Sequence, residues 1–492
     1  MIEEEYIRLI FGLKLKQVRT DKNLSLFGLA KVTGLSKSYL NEIEKGKKYP
    51  KRDKIVLLAD ALETSYDQLV SLKLDKNLAP IGEILQSRIL KEIPLDIFGI
   101  KESDLIDIIA EAPLKVNAFI STLFEIAKHY NLTRESFFLA ALRSYQEANN
   151  NYFEEYENEV EQFAKAYSID LNKKIEVSDL EEILIEEYGY TIENEELSKH
   201  KELNNLRSVF VPTSKTLLVS SETDTSQRLF IYAKEIAYNY LKISDRLFTF
   251  SWIKFDRFDQ VLNNFIASYF AGALLIPRKR LVKELKMFFE NKQFDEAKFN
   301  AIIQEFTDSP ETFYQRLTNI LPKDFNLKNL FFLRFSYKPE RGDFQLTKEL
   351  HITNLLEPHA NERNEHYCRR WVSIKTLSEL PNLKNEELFS CQISSYTHTD
   401  NKYFVMSTAT KDPFRKGYYR SIALGIMITP HSLGKLHFLH DDSIPVKRVG
   451  VTCESCSISD CEVRVAQPRN LERKQRFGQT DEVVKEIMEK YK

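Results

Sequence analysis

Apolar residues recur at helical spacing through residues 9–72, and they predict a group of short helices. Leu26, Leu29 and Ala30 fall on one face of a second helix, and Leu40 and Ile43 fall on one face of a third. The other helices of this region are predicted at 9–24, 55–62 and 66–72. Each helix has one apolar face, so we expect a small all-α domain at 1–72.

The segment between the second and third helices has the residues of a tight turn. Gly34 stands where a left-handed backbone is needed, and Ser36 stands at the N-cap of the next helix. Gly46 ends that helix, and Pro50 follows where a helix cannot continue. This is the layout of a helix-turn-helix, whose second helix enters the major groove of DNA. The predicted partner is therefore a double-stranded DNA operator.

The region resembles the Xre/Cro-repressor family, which implies a lambda-repressor-like fold. The matching segments are Leu29-Ala30, Gly34-Leu35-Ser36, Tyr39-Leu40, Ile43-Glu44-Lys45-Gly46, Pro50 and 55–62. Family members usually carry a Gln just after the position equivalent to Ser25, where it holds a phosphate. Leu26 occupies that position here, so the resemblance does not extend to that contact.

Charge supports DNA binding. Residues 14–54 contain twelve Lys and Arg against four Asp and Glu, whereas the whole chain has a net charge of −2. Such a local basic patch is typical of phosphate contact, although a protein-binding helical domain is the alternative. The candidates for base or phosphate contacts at the start of the recognition helix are Ser36, Lys37, Ser38 and Asn41. The candidates for backbone contacts are Lys45, Lys47 and Lys48.

Length and composition indicate a multidomain cytoplasmic protein. A chain of 492 residues exceeds one core, and it has no apolar run long enough to cross a membrane. The acidic N-terminus is unlike a signal peptide, and five cysteines do not suggest disulfides. The predicted domains are 1–72, a linker and helical region at 73–166, an α+β domain at 167–290, a sensing domain at 291–475 and a C-terminal helix at 476–492.

Within these domains, apolar periodicity changes from helical to strand-like. The central strands are predicted at 174–177, 208–212 and 216–220, followed by helices at 227–241, 260–275 and 278–289. The C-terminal strands are predicted at 330–337, 370–374, 388–396, 403–408, 420–429 and 435–439. β-branched and aromatic residues between turns favour an antiparallel sheet in an α+β domain. The acidic segment 154–161 is expected to be a solvated helix face.

The central helix contains a position typical of zinc peptidases, where His-Glu-x-x-His binds the metal. Lys234 and Tyr238 stand where the two His would be, and only Glu235 remains. Neither replacement suits Zn²⁺ at neutral pH. The segment resembles the ImmA/IrrE-type metallopeptidase fold, a zincin-like domain here without metal ligands, with the later helix matched at 263–277. No enzymatic activity is expected; an ordinary amphipathic helix is the alternative.

Near the C-terminus, Cys453, Cys456 and Cys461 form a C-x₂-C-x₄-C motif. The two-residue gap lets a turn aim two thiolates at one ion, and Cys368 is the candidate fourth ligand. Cys391 is expected in the core. Soft thiolates select Zn²⁺ or an iron–sulfur cluster, and the spacing is compatible with either. Unligated thiols in a turn are the alternative.

The whole chain resembles the short-chain fatty-acid (short-chain acyl-CoA) family of helix-turn-helix regulators. The matching C-terminal residues are Cys368, Trp371, 422–425, Val449-Gly450, Cys453, Cys456, Cys461, Arg464, Ala466 and Pro468. Ser459 stands before Asp460 where the family usually has Arg. The resemblance implies control of carbon and fatty-acid metabolism genes, a short-chain acyl-CoA effector and, in some members, an iron–sulfur cluster.

The expected function is a homodimeric transcriptional regulator that senses a metabolite. Dimerisation is expected because paired half-sites raise the affinity for DNA. The alternatives are a redox or metal sensor that uses the cysteines, a phage-type repressor without a small ligand, and a peptidase. Arg278, Lys279 and Arg280 are possible contacts for CoA phosphates, although a solvated helix start is favoured.

Overall fold

The computed structural model describes residues 4–72, 134–203, 206–249, 255, 257–352, 365–397, 399, 401–413 and 415–491. The chain divides into two compact units. The first comprises residues 1–141 with 256–259, and the second comprises 142–255 with 260–492. Each unit has its own hydrophobic core.

The first unit begins with the small helical bundle that the apolar spacing predicts. Its helices are α1 (Glu4–Asp21), α2 (Leu26–Thr33), α3 (Lys37–Glu44), α4 (Arg52–Ala61) and α5 (Tyr66–Val70). Their apolar faces meet in one core that contains Phe11, Leu15, Leu29, Leu40, Ile43, Ile55, Leu58, Leu62 and Leu69. The N-terminal domain is thus all-helical, as predicted.

The turn between α2 and α3 has the geometry predicted from its residues. Gly34 adopts a φ of 68°, which is left-handed backbone. The Oγ atom of Ser36 accepts a hydrogen bond from the Tyr39 amide at 3.1 Å and so caps α3. Gly46, also at a φ of 68°, follows the last turn of the same helix. These local contacts define the start and the end of the recognition helix.

Two contacts fix α3 against α1. A Cβ atom at Gly12 would lie 2.3 Å from the Ile43 carbonyl oxygen, so only glycine permits this approach. The guanidinium of Arg19 donates to both carboxylate oxygens of Glu44, at 2.6 and 2.9 Å. The recognition helix is therefore held rigidly from its buried side, which leaves the opposite side for a ligand.

The second unit opens within helix α6 and contains a small sheet packed with helices. The elements are α6 (Arg134–Ala148), α7 (Glu154–Ala166), α8 (Val177–Glu182), β1 (Thr191–Glu193), β2 (Ser208–Val211), β3 (Thr216–Val219), α9 (Thr225–Tyr240) and α10 (Phe258–Leu275). The strand order is β1-β3-β2, with β1 parallel and β2 antiparallel to β3. This α+β arrangement agrees with the predicted class, whereas the zincin-like assignment stays a prediction.

The rest of the unit is built on a six-stranded sheet. Three helices precede the first strand of this sheet: α11 (Arg278–Phe289), α12 (Glu296–Phe306) and α13 (Pro310–Asp324). The later elements are β4 (Leu330–Lys338), β5 (Asp343–Ile352), α14 (Val372–Glu379), β6 (Glu387–Tyr396), β7 (Lys402–Lys411), β8 (Tyr419–Met427), α15 (Pro430–Lys435), β9 (Val446–Val449) and α16 (Arg469–Lys490). The order is β5-β4-β8-β7-β6-β9, antiparallel except for the β6–β9 pair.

Both faces of the six-stranded sheet are buried. Residues such as Phe332, Leu424 and Phe404 pack on one face against α11, α12 and α13. Phe331, Phe335 and Val405 pack on the other face with Trp371 and helix α14. A sheet covered on both sides reads as nearly continuous apolar sequence, which explains why its central strands are recognisable from composition.

A buried ion pair joins the two parts of the second unit. Arg316 on α13 is 1% exposed, and its guanidinium donates to both carboxylate oxygens of Glu157 on α7, at 2.6 and 2.9 Å. Its Nε atom donates to the Ile276 carbonyl at 3.0 Å, and the Tyr269 hydroxyl donates to Glu157 at 2.9 Å. The acidic segment 154–161 is therefore not only a solvated face, because Glu157 is buried and paired.

Three predicted strands are wrong. The segment Lys174–Val177 leads into α8, where Glu176 forms a capping box with Asp179. The segment Arg370–Ile374 contains the N-cap residue Trp371, after which α14 begins. The segment 435–439 spans the end of α15 and a 3₁₀ turn at His437–His440. Short apolar runs fit a strand and a helix equally well, so periodicity cannot separate them.

The sequence analysis missed β1, β5 and β9. Strands β5 and β9 form the two edges of the large sheet. Edge strands carry more polar residues because one side meets solvent, and this weakens the apolar alternation on which their recognition depends. The remaining predicted strands and helices of the second unit are confirmed to within a few residues.

The core also changes one predicted boundary. Leu281, Leu285 and Phe288 of α11 belong to the core of the six-stranded sheet, although the sequence places this helix in the domain that ends at residue 290.

Most of the predicted linker at 73–166 lies outside the described residues. Among the helices that the structure describes, none is long and apolar enough to span a membrane.

Candidate functional site

The recognition helix α3 presents the predicted DNA-contacting residues at the surface. Lys37, Ser38 and Asn41 are exposed, and so is the cap residue Ser36. The opposite side of the helix, with Leu40 and Ile43, is fully buried. A helix that packs its apolar side on a bundle and exposes its polar side has the arrangement needed to enter the major groove of DNA.

The basic residues after α3 extend this surface. Lys47 and Lys48 are exposed, and Lys45 is half-buried. Lys48 forms an ion pair with Glu42 at 3.2 Å, and its ammonium lies 5.5 Å from the centre of the Tyr39 ring. Leu26, at the position where related domains carry a phosphate-binding Gln, packs against the bundle core. Of the seven predicted residues, six are exposed and Lys45 is half-buried, and their contacts with DNA stay a prediction.

The peptidase-like position on α9 forms a buried hydrogen-bonded network. The ammonium of Lys234 donates to Asn264 Oδ1 at 2.6 Å, and the Tyr238 hydroxyl donates to the same oxygen at 3.4 Å. The two residues that replace the histidines therefore meet one amide on α10. Burial lowers the pKa of Lys234 to about 7, an effect that Glu235 opposes and Arg246 reinforces.

Glu235, the remaining residue of the peptidase pattern, is occupied by other partners. Arg246 donates to both of its carboxylate oxygens, at 2.5 and 2.6 Å, and the Tyr190 hydroxyl donates to it at 3.0 Å. Both carboxylate oxygens of Glu235 are thus engaged in hydrogen bonds to protein groups. The sequence does not identify Arg246, Tyr190 or Asn264 as members of this network, because none of them belongs to a recognisable motif.

The segments that carry Cys368 and the C-x₂-C motif lie side by side. The Cys368 amide donates to the Val451 carbonyl at 3.0 Å, and the Cys453 amide donates to the His366 carbonyl at 2.8 Å. Burial raises the pKa of the Cys368 thiol to about 11. The backbone therefore brings together the two segments that hold the predicted ligands, whereas the ligand set itself stays a prediction.

The fourth predicted ligand, Cys461, is half-buried. Arg464 stabilises the intervening loop by donating to the carbonyls of Cys453, Cys456 and Ile458, at 2.9, 3.2 and 2.6 Å. Within the described ranges, no three or more His, Cys, Asp or Glu side chains are arranged to hold a metal ion. The thiols have the right chemistry for a soft metal ion but are not gathered into a metal site in this structure, so the metal stays a prediction. Cys391 packs against the core of the sheet.

The cations at the start of α11 are engaged in ion pairs. Arg278 pairs with Asp324 at 2.9 Å. Lys279 pairs with Glu161 at 2.7 Å, and Arg280 pairs with Glu305 at 2.6 Å. These contacts favour the structural interpretation of this segment over contact with CoA phosphates.

Comparison with known proteins supports the N-terminal domain. Residues 15–69 match the family model described as Helix-turn-helix. The fold is similar to a solved Mycobacterium tuberculosis transcriptional regulator at 18% identity, with a TM-score of 0.48, over 66% of this chain and 92% of that one. No curated protein matches the sequence. Residues 15–69 are thus a helix-turn-helix, a module that binds DNA.

The desolvated Lys234 predicts a pH-dependent stability. A lysine in the unfolded chain keeps its proton up to about pH 10.5, whereas folded Lys234 loses it above about pH 7. Between these values the unfolded state binds more protons, so the stability of the folded state increases as the pH rises. Lys234→Met should remove up to about 1.4 kcal/mol of this increase per pH unit.

Scanning calorimetry of the full-length protein between about pH 7 and pH 10 measures this slope. The exposed Lys283→Met is the matched control and should leave the slope unchanged. An equal slope in the wild type and in Lys234→Met would show that the Lys234 ammonium is not desolvated.

Proposed function

We propose that this protein is a cytoplasmic, homodimeric transcriptional regulator whose second unit senses a metabolite, with a short-chain acyl-CoA as the effector. The helix-turn-helix with its exposed polar helix face carries this proposal, because it assigns DNA binding to one small bundle. That bundle leaves the much larger second unit without a role in reading DNA. A ligand changes DNA binding only if it binds one arrangement of the protein better than another.

The polar network on α9 disfavours the peptidase alternative. Lys234 and Tyr238 replace the histidines, and Arg246 neutralises Glu235. A hydrolytic metal site needs neutral nitrogen or oxygen ligands and a free base. We therefore propose that the ancestral position has a structural role and that the protein is not an enzyme.

The cysteine cluster supports a metal centre as part of the sensor. Cys368, Cys453 and Cys456 are buried, and backbone hydrogen bonds join the segment of Cys368 to that of Cys453. Thiolate ligands would hold Zn²⁺ or an iron–sulfur cluster, and either would crosslink the C-x₂-C loop to the segment that leads into α14. A redox or metal sensor is the second candidate function, because soft thiolates are both metal ligands and oxidisable groups.

Helix α16 supports dimerisation. It is exposed along its whole length, and its C-terminal half carries an apolar stripe of Val484, Ile487, Met488 and Tyr491. Exposed apolar residues at helical spacing are typical of a surface that a partner covers.

The charges along α16 select a second copy of the same chain as the partner. Residues 469–479 contain four basic residues and one acidic residue, whereas residues 480–490 contain four acidic and two basic residues. Antiparallel pairing of two copies places each basic half beside an acidic half. The same arrangement has two-fold symmetry, as most homodimers do.

The DNA-binding part of the proposal predicts two kinds of defect. Asn41→Ala should cost about 1–3 kcal/mol in operator binding and relax base preference, because Asn41 is placed to reach base edges. Lys47→Ala should weaken binding to all sequences and reduce the salt slope by about 1, because it contacts phosphate. Operator affinity by fluorescence anisotropy across salt concentrations measures both effects. Lys283→Ala is the control of equal charge change.

The sensing part is tested with the same assay. Acetyl-, propionyl- and butyryl-CoA are added to the wild-type protein–operator complex, with free CoA as the control. We expect one thioester to change operator affinity by about 5–150-fold. An affinity that no thioester changes would contradict acyl-CoA sensing and favour the phage-type repressor or the redox sensor.

The metal proposal predicts a selective loss. Anaerobically purified wild-type protein should contain zinc or iron, measured by mass spectrometry, with visible absorbance if the centre is an iron–sulfur cluster. Cys368→Ser should lower the metal content, because it removes a buried thiol on the segment that is hydrogen-bonded to that of Cys453. Cys391→Ser is the matched control, since Cys391 packs in a different core. Equal metal in both variants would overturn Cys368 as a ligand.

The dimer proposal is tested by sedimentation of the full-length chain. Ile487→Glu should convert the dimer to a monomer at micromolar concentrations, because it places a charge in the apolar stripe. Val446→Glu, at an equally exposed apolar position on β9, should remain dimeric. Lys474→Glu should weaken the dimer, and adding Glu486→Lys should restore it. A dimer that survives Ile487→Glu has its interface elsewhere.

A further inference from the structure

Three cations lie on β5, β4 and β8, the three neighbouring strands at one edge of the six-stranded sheet. In the register of β4 and β5, Arg334 is directly opposite Lys348. Arg420 lies on the neighbouring strand β8 and pairs with Ser336, two residues from Arg334 on the same face of the sheet. Like charges directly opposite each other on a sheet repel, so this arrangement needs compensation. We call Arg334, Lys348, Arg420 and the adjacent Glu311 the cationic recess.

Glu311 supplies one negative charge to the recess. It lies in the first turn of α13 and accepts hydrogen bonds from Arg334 at 2.9 Å. Its second carboxylate oxygen lies 3.5 Å from Arg420. Burial opposes the ionisation of Glu311, but the positive charges of Arg334, Arg420 and Lys348 outweigh it and lower its pKa to about 2. The carboxylate is therefore permanently charged and fixed between the arginines.

Hydroxyl groups orient both guanidinium groups. The Nε atom of Arg334 donates to Thr347 Oγ1 at 3.0 Å, and the Nε atom of Arg420 donates to Thr410 Oγ1 at 3.2 Å. Arg334 uses its Nε atom for Thr347 and its Nη1 atom for Glu311, and Arg420 directs the same two atoms to Thr410 and Glu311. Oriented guanidinium groups on one face are suited to bind an oxyanion through paired hydrogen bonds.

Lys348 differs from the two arginines in its contacts. Among the residues that the structure describes, no carboxylate lies within ion-pair distance of its ammonium, which lies 5.8 Å from the centre of the Phe332 ring. Lys348 is exposed at the surface. Burial, with the positive charges of Arg334 and Arg207, lowers the pKa of Lys348 to about 8, and the strand register places it directly opposite Arg334.

The charges of the recess do not balance. Three cations face one carboxylate, which leaves a surplus of two positive charges, counted without Arg207, whose charge also acts on Glu311. The field reaches farther, because Lys348 contributes to the lowered pKa of Lys234 on α9. Uncompensated charge in a desolvated place is costly, and a purely structural network would carry matched charges.

We propose that the cationic recess is the binding site for the phosphate group of a small molecule, with Lys348, Arg334 and Arg420 as its contacts. A surplus of two charges suits a doubly charged phosphate better than a monocarboxylate. Side chains oriented before the ligand arrives reduce the entropic cost of binding. This inference rests on the proposed function in one respect, namely that the second unit senses a metabolite.

Calorimetric titration of the full-length protein with inorganic pyrophosphate tests the site, and propionate serves as the carboxylate probe. We expect one pyrophosphate per chain and weaker or no binding of propionate. Lys348→Gln should weaken pyrophosphate binding by about tenfold or more, since it removes the one cation without an ion pair. Lys447→Gln is the matched control, because Lys447 is an exposed lysine on β9 of the same sheet.

A stability measurement keeps this test independent of folding defects. Without a ligand, Lys348→Gln should melt no lower than the wild type, because it removes repulsion with Arg334. Equal pyrophosphate affinity in the wild type and Lys348→Gln, absent binding, or a preference for propionate would each overturn the phosphate site. If a thioester changes operator affinity equally in both proteins, the recess fails while the sensor function stands. If no thioester changes operator affinity but Lys348→Gln weakens pyrophosphate binding, the site stands and acyl-CoA sensing fails.

Discussion

The buried ion pair between Arg316 and Glu157 is the interaction on which the second unit depends. It connects α7, beside the small sheet, to α13, which covers the large sheet. A guanidinium tolerates such burial only because Glu157 and the Ile276 carbonyl satisfy it. Loss of one partner would leave an unpaired buried charge, at a cost of about 3–5 kcal/mol. Because α13 is held there, its first turn presents Glu311 to the end of the sheet.

The second constraint is that the large sheet is covered on both faces. Helices pack on one face, and α14 with the cysteine loop packs on the other. Most residues in the middle of the strands are therefore apolar, and Arg334 on β4 and Lys348 on β5 are charged exceptions beside one edge of the sheet. The cysteines of the C-x₂-C-x₄-C motif lie outside the strands. Packing thus determines where this unit can place polar side chains that a ligand could contact.

The two units hold their polar side chains in different ways. The first exposes them on a rigid helix surface, and the second also buries them in hydrogen-bonded networks. In the first, Gly12 and the Arg19–Glu44 pair hold α3 from behind, so its exposed side needs little reorganisation to bind DNA. In the second, Glu235 is clamped by Arg246 and the adjacent Lys234 is desolvated. These interior charges are paired or shifted in pKa, which is how a fold accommodates buried polar residues.

The sequence by itself determined the helix-turn-helix, because Gly34, Ser36 and the apolar faces of α2 and α3 act locally. It also predicted the central strands of the large sheet, whose buried faces require apolar residues. Only the tertiary structure decided that Arg370–Ile374 begins a helix, that the segment of Cys368 lies beside that of Cys453, and that Glu157 is buried. It alone placed Lys348 opposite Arg334. Contacts between residues distant in sequence depend on register and packing, and neither leaves a periodic pattern along the chain.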